Sequence, residues 1–237
     1  MEKSEEKKKK ERNPKRLWTT IGIVAVVFAV AGFGFYQWHE QPSFCASFCH
    51  NMDEYLETYS QEQGVAGVDK YGNEVSNTNA MMATLHRQNQ TTALPTITCL
   101  MCHVPTIPEQ MDEGIKMVTG NYYDPLDERW GDGLTHWREL EGTQFCANEN
   151  CHSYLLGNDG LVDRKKLEHA TADMDFNPHD TYHAGQQMEC TNCHKGHRAS
   201  VVQCTACHEH EKEAVPDGWL TAAESDALVE ASFNQAA

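Results

Sequence analysis

Ten cysteines and the histidines beside them set the chemistry of this 237-residue chain. The cysteines fall into five pairs, each followed at once by a histidine: Cys45/Cys49-His50, Cys99/Cys102-His103, Cys146/Cys151-His152, Cys190/Cys193-His194 and Cys204/Cys207-His208. No cysteine is left over. Two thiols a short, fixed distance apart can add across the two vinyl groups of one porphyrin, and the next histidine then reaches the iron as an axial ligand. Three pairs have the usual two-residue gap: Leu100-Met101, Thr191-Asn192 and Thr205-Ala206. The first gap is Ala46-Ser47-Phe48 and the third is Ala147-Asn148-Glu149-Asn150, lengths a bulged loop can accommodate. The pattern implies five covalently bound c-type haems, or four if one motif, that at Cys45, is unused.

Other uses of cysteine fit less well. A structural zinc site takes four ligands from two pairs, and five pairs do not divide that way. Disulfides are compatible with an oxidising exterior, but nothing about them asks for a histidine after every second cysteine. A six-coordinate iron needs a second axial ligand. Eight histidines lie outside the motifs: His39, His86, His136, His169, His179, His183, His197 and His210. Four would serve the second to fifth motifs, and the rest are surface residues. Met52, two residues after His50, offers a thioether to the first iron.

The elements that position these groups begin with an anchor. Residues 1–16 form a basic tail holding eight of the 19 basic residues and four of the 35 acidic ones, a local charge of +4. Residues 17–38 are uncharged and mostly apolar, long enough to span a hydrocarbon core at 1.5 Å rise per residue. Trp18 at one end and Tyr36 and Trp38 at the other suit the two interfaces, and the basic flank keeps the tail cytoplasmic. Residues 39–237 are then extracytoplasmic, on a single-pass protein of the cell membrane. The competing expectation is a leader cleaved after Ala29-Val30-Ala31, against which the apolar run continues through Phe33, Phe35 and Tyr36.

Residues 17–237 carry 11 basic and 31 acidic residues. Such an acidic body excludes nucleic acid as a partner and suits a basic patch on another protein, or simply a solvated surface. The expected fold is mainly α with long loops, a transmembrane helix followed by a haem-packed multihaem domain in which porphyrin faces replace apolar side chains. Helices are expected near 53–59, 81–88, 109–118 and 161–174. A closing helix is expected over 220–231, capped by Thr221 ahead of Glu224. Strand signals are weak, and the Gly/Asn-rich residues 61–80 read as a surface loop. Only six residues separate Trp38 from Cys45, which puts the first motif at the membrane surface. The fourth and fifth motifs start 14 residues apart and must be close neighbours.

From the anchor to about Arg198 the chain resembles the NapC/NirT type of membrane-anchored tetrahaem quinol dehydrogenase, which includes the small subunit of ammonia-forming nitrite reductase. The residues carrying the likeness are Cys49-His50-Asn51-Met52, then Tyr55 and Tyr59. His86-x-x-Asn89 follows, ahead of Cys99-x-x-Cys102-His103-Val104-Pro105, then Cys151-His152-Ser153 and Cys190-Thr-Asn-Cys193-His194-Lys195-Gly196-His197. Three features depart from it: the longer gaps, the 61–80 segment and the fifth motif at Cys204. The resemblance implies that the first haem takes electrons from a quinol and that the others pass them to a soluble extracytoplasmic reductase. It implies Met52 as an axial ligand of the first iron, and Lys116 and Asp124 beside the quinol, where a carboxylate can accept a proton. It also implies His86 and His197 as distal ligands, with another from His169, His179 and His183, of which His183 is the choice. For the fifth motif, His210 and His136 both remain open.

The leading expectation is therefore an electron-transfer subunit with quinol dehydrogenase activity in anaerobic respiration. Its partners are the membrane quinol pool and a reductase, in a homo- or hetero-oligomer. Two alternatives are a terminal reductase of a small oxyanion such as nitrite and a soluble shuttle released by cleavage. The pentahaem nitrite reductases carry Lys in place of one motif His, a replacement absent from these five motifs.

Overall fold

In the computed structural model, residues 14–48, 52–88, 97–103, 106–121, 142–174, 177–180, 188–209 and 215–236 are described. The chain divides into two units, one up to Gln41 and one from Pro42 onward. The first consists of helix α1, Pro14–His39, with no buried residue along its 26 positions. Its mean hydropathy of 2.1 over its most apolar stretch makes it long and apolar enough to cross a membrane, which is a statement of length and composition. The helix runs without interruption through Ala29-Val30-Ala31.

The second unit is mainly helical, and its helices are short. They are α2 (Pro42–Phe48), α3 (Asp53–Ser60), α4 (Met82–Gln88), α5 (Cys99–Cys102), α6 (Ile107–Thr119), α7 (Gly142–Cys146), α8 (Arg164–Ala170), α9 (Cys190–Cys193) and α10 (Ala222–Ala236). Among the described residues four two-residue strands accompany them: β1 (Gly67–Val68) antiparallel to β2 (Glu74–Val75), and β3 (Val201–Val202) parallel to β4 (Leu220–Thr221). Strand is as sparse among those residues as expected.

Several ends are set by local chemistry. Thr106 and Glu109 form a reciprocal capping box at the start of α6, and Gly120 ends it with a left-handed φ of 69°. At α10, Glu224 accepts from the Thr221 amide at 2.8 Å, and Thr221 Oγ1 accepts from the Glu224 amide at 3.3 Å. The helix expected over 161–174 is shorter at both ends. Leu156 and Val162 bridge across a tight turn, so the chain enters α8 only after Asp163, whose carboxylate accepts from the Lys165 amide at 2.9 Å.

The segment 61–80 departs from the expected surface loop. It folds as the β1–β2 hairpin followed by a 3₁₀ turn, Thr78–Ala80, and buries Val75, Thr78 and Ala80. Val75, Ala80, Met81 and Ala199 form a small core against Trp219 and Leu220. Apart from Met81, the fully buried side chains are small, and many are hydroxyls: Thr58, Thr78, Thr84 and Ser200. Each hydroxyl is satisfied by backbone. Thr84 donates to the Thr58 carbonyl at 2.6 Å, Thr78 to that of Glu62 at 2.6 Å and Ser200 to that of Ala80.

The strap that matters most for function is Lys195–Ser200. The carbonyls of Lys195 and Gly196 accept from the amides of Met82 and Ala83 at 2.8 and 2.9 Å, groups the first turn of α4 would otherwise leave unsatisfied. The Ser200 amide returns a bond to the Ala80 carbonyl at 3.0 Å, and the His197 carbonyl accepts from Lys70 at 2.9 Å. Residues more than a hundred positions apart are held in one register.

Candidate haem sites

The attachment motifs share one backbone bond. In α5 the His103 amide donates to the Cys99 carbonyl at 2.7 Å, and in α9 the His194 amide to that of Cys190 at 2.9 Å. In the fifth motif His208 does the same to Cys204 at 2.9 Å, over a 3₁₀ turn spanning Gln203–Ala206. One helical turn sets residues three apart on the same face, the arrangement that two thioethers to one ring require. The third motif reaches the same closure with two extra residues. Asn148 Oδ1 accepts from the amides of Asn150 and Cys151 at 2.9 and 3.1 Å, which loops the extra length outward. The His152 amide then still meets the Cys146 carbonyl, at 3.2 Å. Of the first motif, Cys45 is described, on α2. Cys49 and His50 lie outside the described residues.

Within three of the motifs the two cysteines differ in burial. Cys102, Cys151 and Cys207 are exposed, while their first-cysteine partners Cys99, Cys146 and Cys204 are half-buried. Cys207 and the neighbouring His208 are both exposed, as Cys102 and His103 are in the second motif. The setting of Cys207 is local. Cys207 stands one residue past the 3₁₀ turn, at φ −124° and ψ −24°, with its amide on the Cys204 carbonyl at 3.2 Å. There the chain leaves the turn, and β4 and α10 pack against the part of it that precedes Cys207.

Neighbouring motifs are set side by side. The Cys45 thiol hydrogen-bonds Cys99, which pushes Cys45 well up and holds Cys99 below the ordinary thiol value. Cys146 and Cys190 are paired likewise, so that Cys146 is raised and Cys190 is lowered to about 7. Cys102, open to solvent on one side, is still desolvated by the chain around its thiol, and with Cys151 adding to it is lifted to about 11. Desolvation also raises Cys193, which senses Cys204. The cysteine pairs therefore follow one another in chain order.

Opposite three motif histidines stand three histidines from elsewhere in the chain. His103 and His197 have ring centroids 6.2 Å apart and planes 22° from parallel. His194 and His179 are 6.3 Å apart at 12°, and His152 and His86 are 6.0 Å apart at 88°. Two imidazoles on opposite faces of one metal, each with a metal–nitrogen bond of about 2 Å and a ring centre about 1 Å further out, have centroids roughly 6 Å apart. All three pairs meet that separation. Among the described residues no group of three or more His, Cys, Asp or Glu could hold a metal ion. Paired imidazoles without further ligands fit an iron that brings four porphyrin nitrogens with it.

Each non-motif partner has its Nδ1 proton fixed. His86 Nδ1 donates to the Met82 carbonyl at 2.7 Å, an oxygen that can only accept. Thr58 Oγ1 donates to the Tyr55 carbonyl at 2.9 Å, so at its 2.7 Å bond with His197 Nδ1 it must accept. Thr171 Oγ1 has Leu167 and Asn177 oxygens at 3.0 and 2.8 Å as acceptors for its single proton, and it accepts from His179 Nδ1 at 3.2 Å. In all three rings the lone pair is on Nε2, the atom a metal would take. Burial lowers the pKa of His152 and His179, and brings His194 down to about 4. Neutral imidazole is the form that ligates. Trp219 packs edge-on against His194 with centroids 5.2 Å apart.

The remaining expected site residues are distributed as follows. Met52 is half-buried at the head of α3. Lys116, on α6, forms an ion pair with Asp112 at 2.8 Å and is half-exposed. Asp124, His183, His136 and His210 lie outside the described residues. His169 is exposed near the end of α8. The sequence named His179 only as one of three candidates, and it gave no hint of Thr58, Thr171 or Trp219. Their partners are far away along the chain, and no spacing rule announces them.

Thiol pairs closed onto a histidine, with a second imidazole across from it, are the apparatus of a c-type cytochrome. Comparison with known proteins agrees. The chain is similar to the cytochrome c-type protein Cgr1 of Eggerthella lenta, 51% identical over 215 residues, which is 90% of this chain and 91% of that one. The chain belongs to that family of c-type cytochromes, and covalently bound haem follows from the membership. No protein-family model matches it, and neither does any solved structure.

Proposed function

We propose that the chain is a membrane-anchored pentahaem electron carrier that oxidises a quinol, menaquinol in the leading case, and supplies an extracytoplasmic reductase. The observation carrying the electron-carrier part is the set of three imidazole pairs at 6.0–6.3 Å, each including the histidine of an attachment motif. Bound haem would supply reversible one-electron chemistry at iron. The chain's own residues hold the attachment sites in sequence order, half-bury His194 and fix the ligating tautomers. In that reading His103 with His197, His152 with His86 and His194 with His179 are the axial sets. Met52 and His50 serve the first iron, and His208 serves the fifth.

The quinol part rests on the resemblance stated above and on α6. Ile107, Met111, Ile115 and Val118 recur at helical spacing along that helix and are all exposed. A shallow apolar hollow on the same helix as Lys116 is lined by Met111, Gly114, Ile115 and Val118, a surface suited to an isoprenoid quinone ring. The continuous α1 supports retention as an anchor rather than release.

Anaerobic mixing of purified, detergent-held protein with menaquinol tests the proposal. Growth of the reduced haem spectrum at a rate that falls in Lys116→Ala supports it. An oxidised spectrum that menaquinol leaves unchanged, while dithionite reduces it, overturns the quinol reading and leaves the cytochrome.

A further inference from the structure

One buried side chain acts on a proposed iron ligand from outside the ligand set. Thr58 sits on α3, fully buried, and its contact with His197 spans 139 positions of chain. Its single hydroxyl proton goes to the Tyr55 carbonyl, so the oxygen presents a lone pair to His197 Nδ1–H at 2.7 Å. Its own carbonyl is pinned by the buried hydroxyl of Thr84 at 2.6 Å. Tyr55 closes the other side of the ring, edge-on at 4.9 Å and 72°. A back-bond to Tyr55 alone would be ordinary for a threonine inside a helix. The second bond, to an imidazole facing a motif histidine, is not part of any helix.

We infer that Thr58 is a positioning residue that fixes the tautomer, ring plane and donor strength of His197 and thereby lowers the reduction potential of the haem held by His103 and His197. The inference rests on the axial pairing proposed above. An imidazole whose Nδ1–H is given to a good acceptor carries more electron density on Nε2. The ligand is then more basic and favours the ferric over the ferrous state. Met82 fills the same role for His86 with a backbone carbonyl, which substitution does not remove. Thr171 does so for His179 over a longer 3.2 Å bond. Thr58 combines a short bond, full burial and a removable acceptor.

The test uses the full-length, haem-loaded protein as Thr58→Val, which keeps the shape and removes the acceptor, and as Thr58→Ser, which keeps the acceptor. Spectroscopic redox titration and low-temperature electron paramagnetic resonance are read on both, with haem content counted by intact mass. In Thr58→Val one redox component moves to higher potential and one near-parallel bis-imidazole signal changes, while the others stay. Thr58→Ser restores both. A Thr58→Val protein with full haem content and every potential unchanged overturns the inference, as does a Ser variant displaced as far as Val. His197→Ala separates the two levels. If it abolishes one low-spin signal, the pairing holds whatever Thr58 does; if every low-spin signal survives, the pairing itself fails.

Discussion

Single residues carry the sharpest consequences here, because a six-coordinate iron is lost or kept by one imidazole. The angle between ring planes differs among the three proposed axial pairs: 22° and 12° for those of His103 and His194, but 88° for that of His152. Near-parallel planes split the iron orbitals and give rhombic low-spin spectra, whereas perpendicular planes leave them nearly degenerate and give a single strongly anisotropic signal. At least one such anisotropic signal is therefore expected beside rhombic ones. His86→Ala should remove that signal and create one high-spin haem without disturbing the rhombic ones. Electron paramagnetic resonance of the oxidised variant checks this, and survival of the anisotropic signal would break the His86–His152 assignment. The attachment residues were named from the tie between each cysteine pair and the next histidine; His86 and His197 were named from the family resemblance, and the fold sets their rings opposite His152 and His103. The ring that faces His194 was not singled out, because His169, His179 and His183 look alike in sequence and only the contacts with Thr171 and His194 mark His179. Thr58 was invisible for the same reason: its value comes from a contact that no local pattern encodes.

Short helices do most of the positioning, and each can be tested at its end or its bulge. The four-residue gap of the third motif works because Asn148 curls the extra residues outward. Asn148→Ala removes the acceptor of both amides, and a fraction of the chains should then lack one haem, seen as a second peak in the intact mass. Uniform full loading would show that the loop needs no such turn. At α10, Thr221→Ala deletes one half of the capping box and should cost about 1 kcal/mol, measured as a lower midpoint of thermal unfolding. The helices over α3, α4, α6 and α10 were readable from periodicity and caps. The start of α8 was misplaced because the turn before it, bridged from Leu156 to Val162, carries apolar residues that mimic helical spacing. Segment 61–80 was read as surface from its Gly and Asn content. Its few apolar and hydroxyl residues, Val75, Thr78 and Ala80, instead supply part of the core.

At the scale of the molecule, a modest apolar core is joined to a set of paired histidines and cysteines that runs through the whole second unit. The buried set is dominated by alanines, valines and hydroxyls. Removing haem should therefore destabilise the second unit far more than any single core substitution. The first unit is one apolar helix, and retention of the full chain in the membrane fraction after carbonate washing is the expected behaviour if α1 is an anchor. Its appearance in the wash would point to a released shuttle. The account turns most directly on covalent attachment. The intact mass of the expressed, denatured chain should exceed the polypeptide mass by five haem groups, each bonded through the cysteines of one motif. A mass equal to that of the bare polypeptide, with ten free thiols, would contradict it.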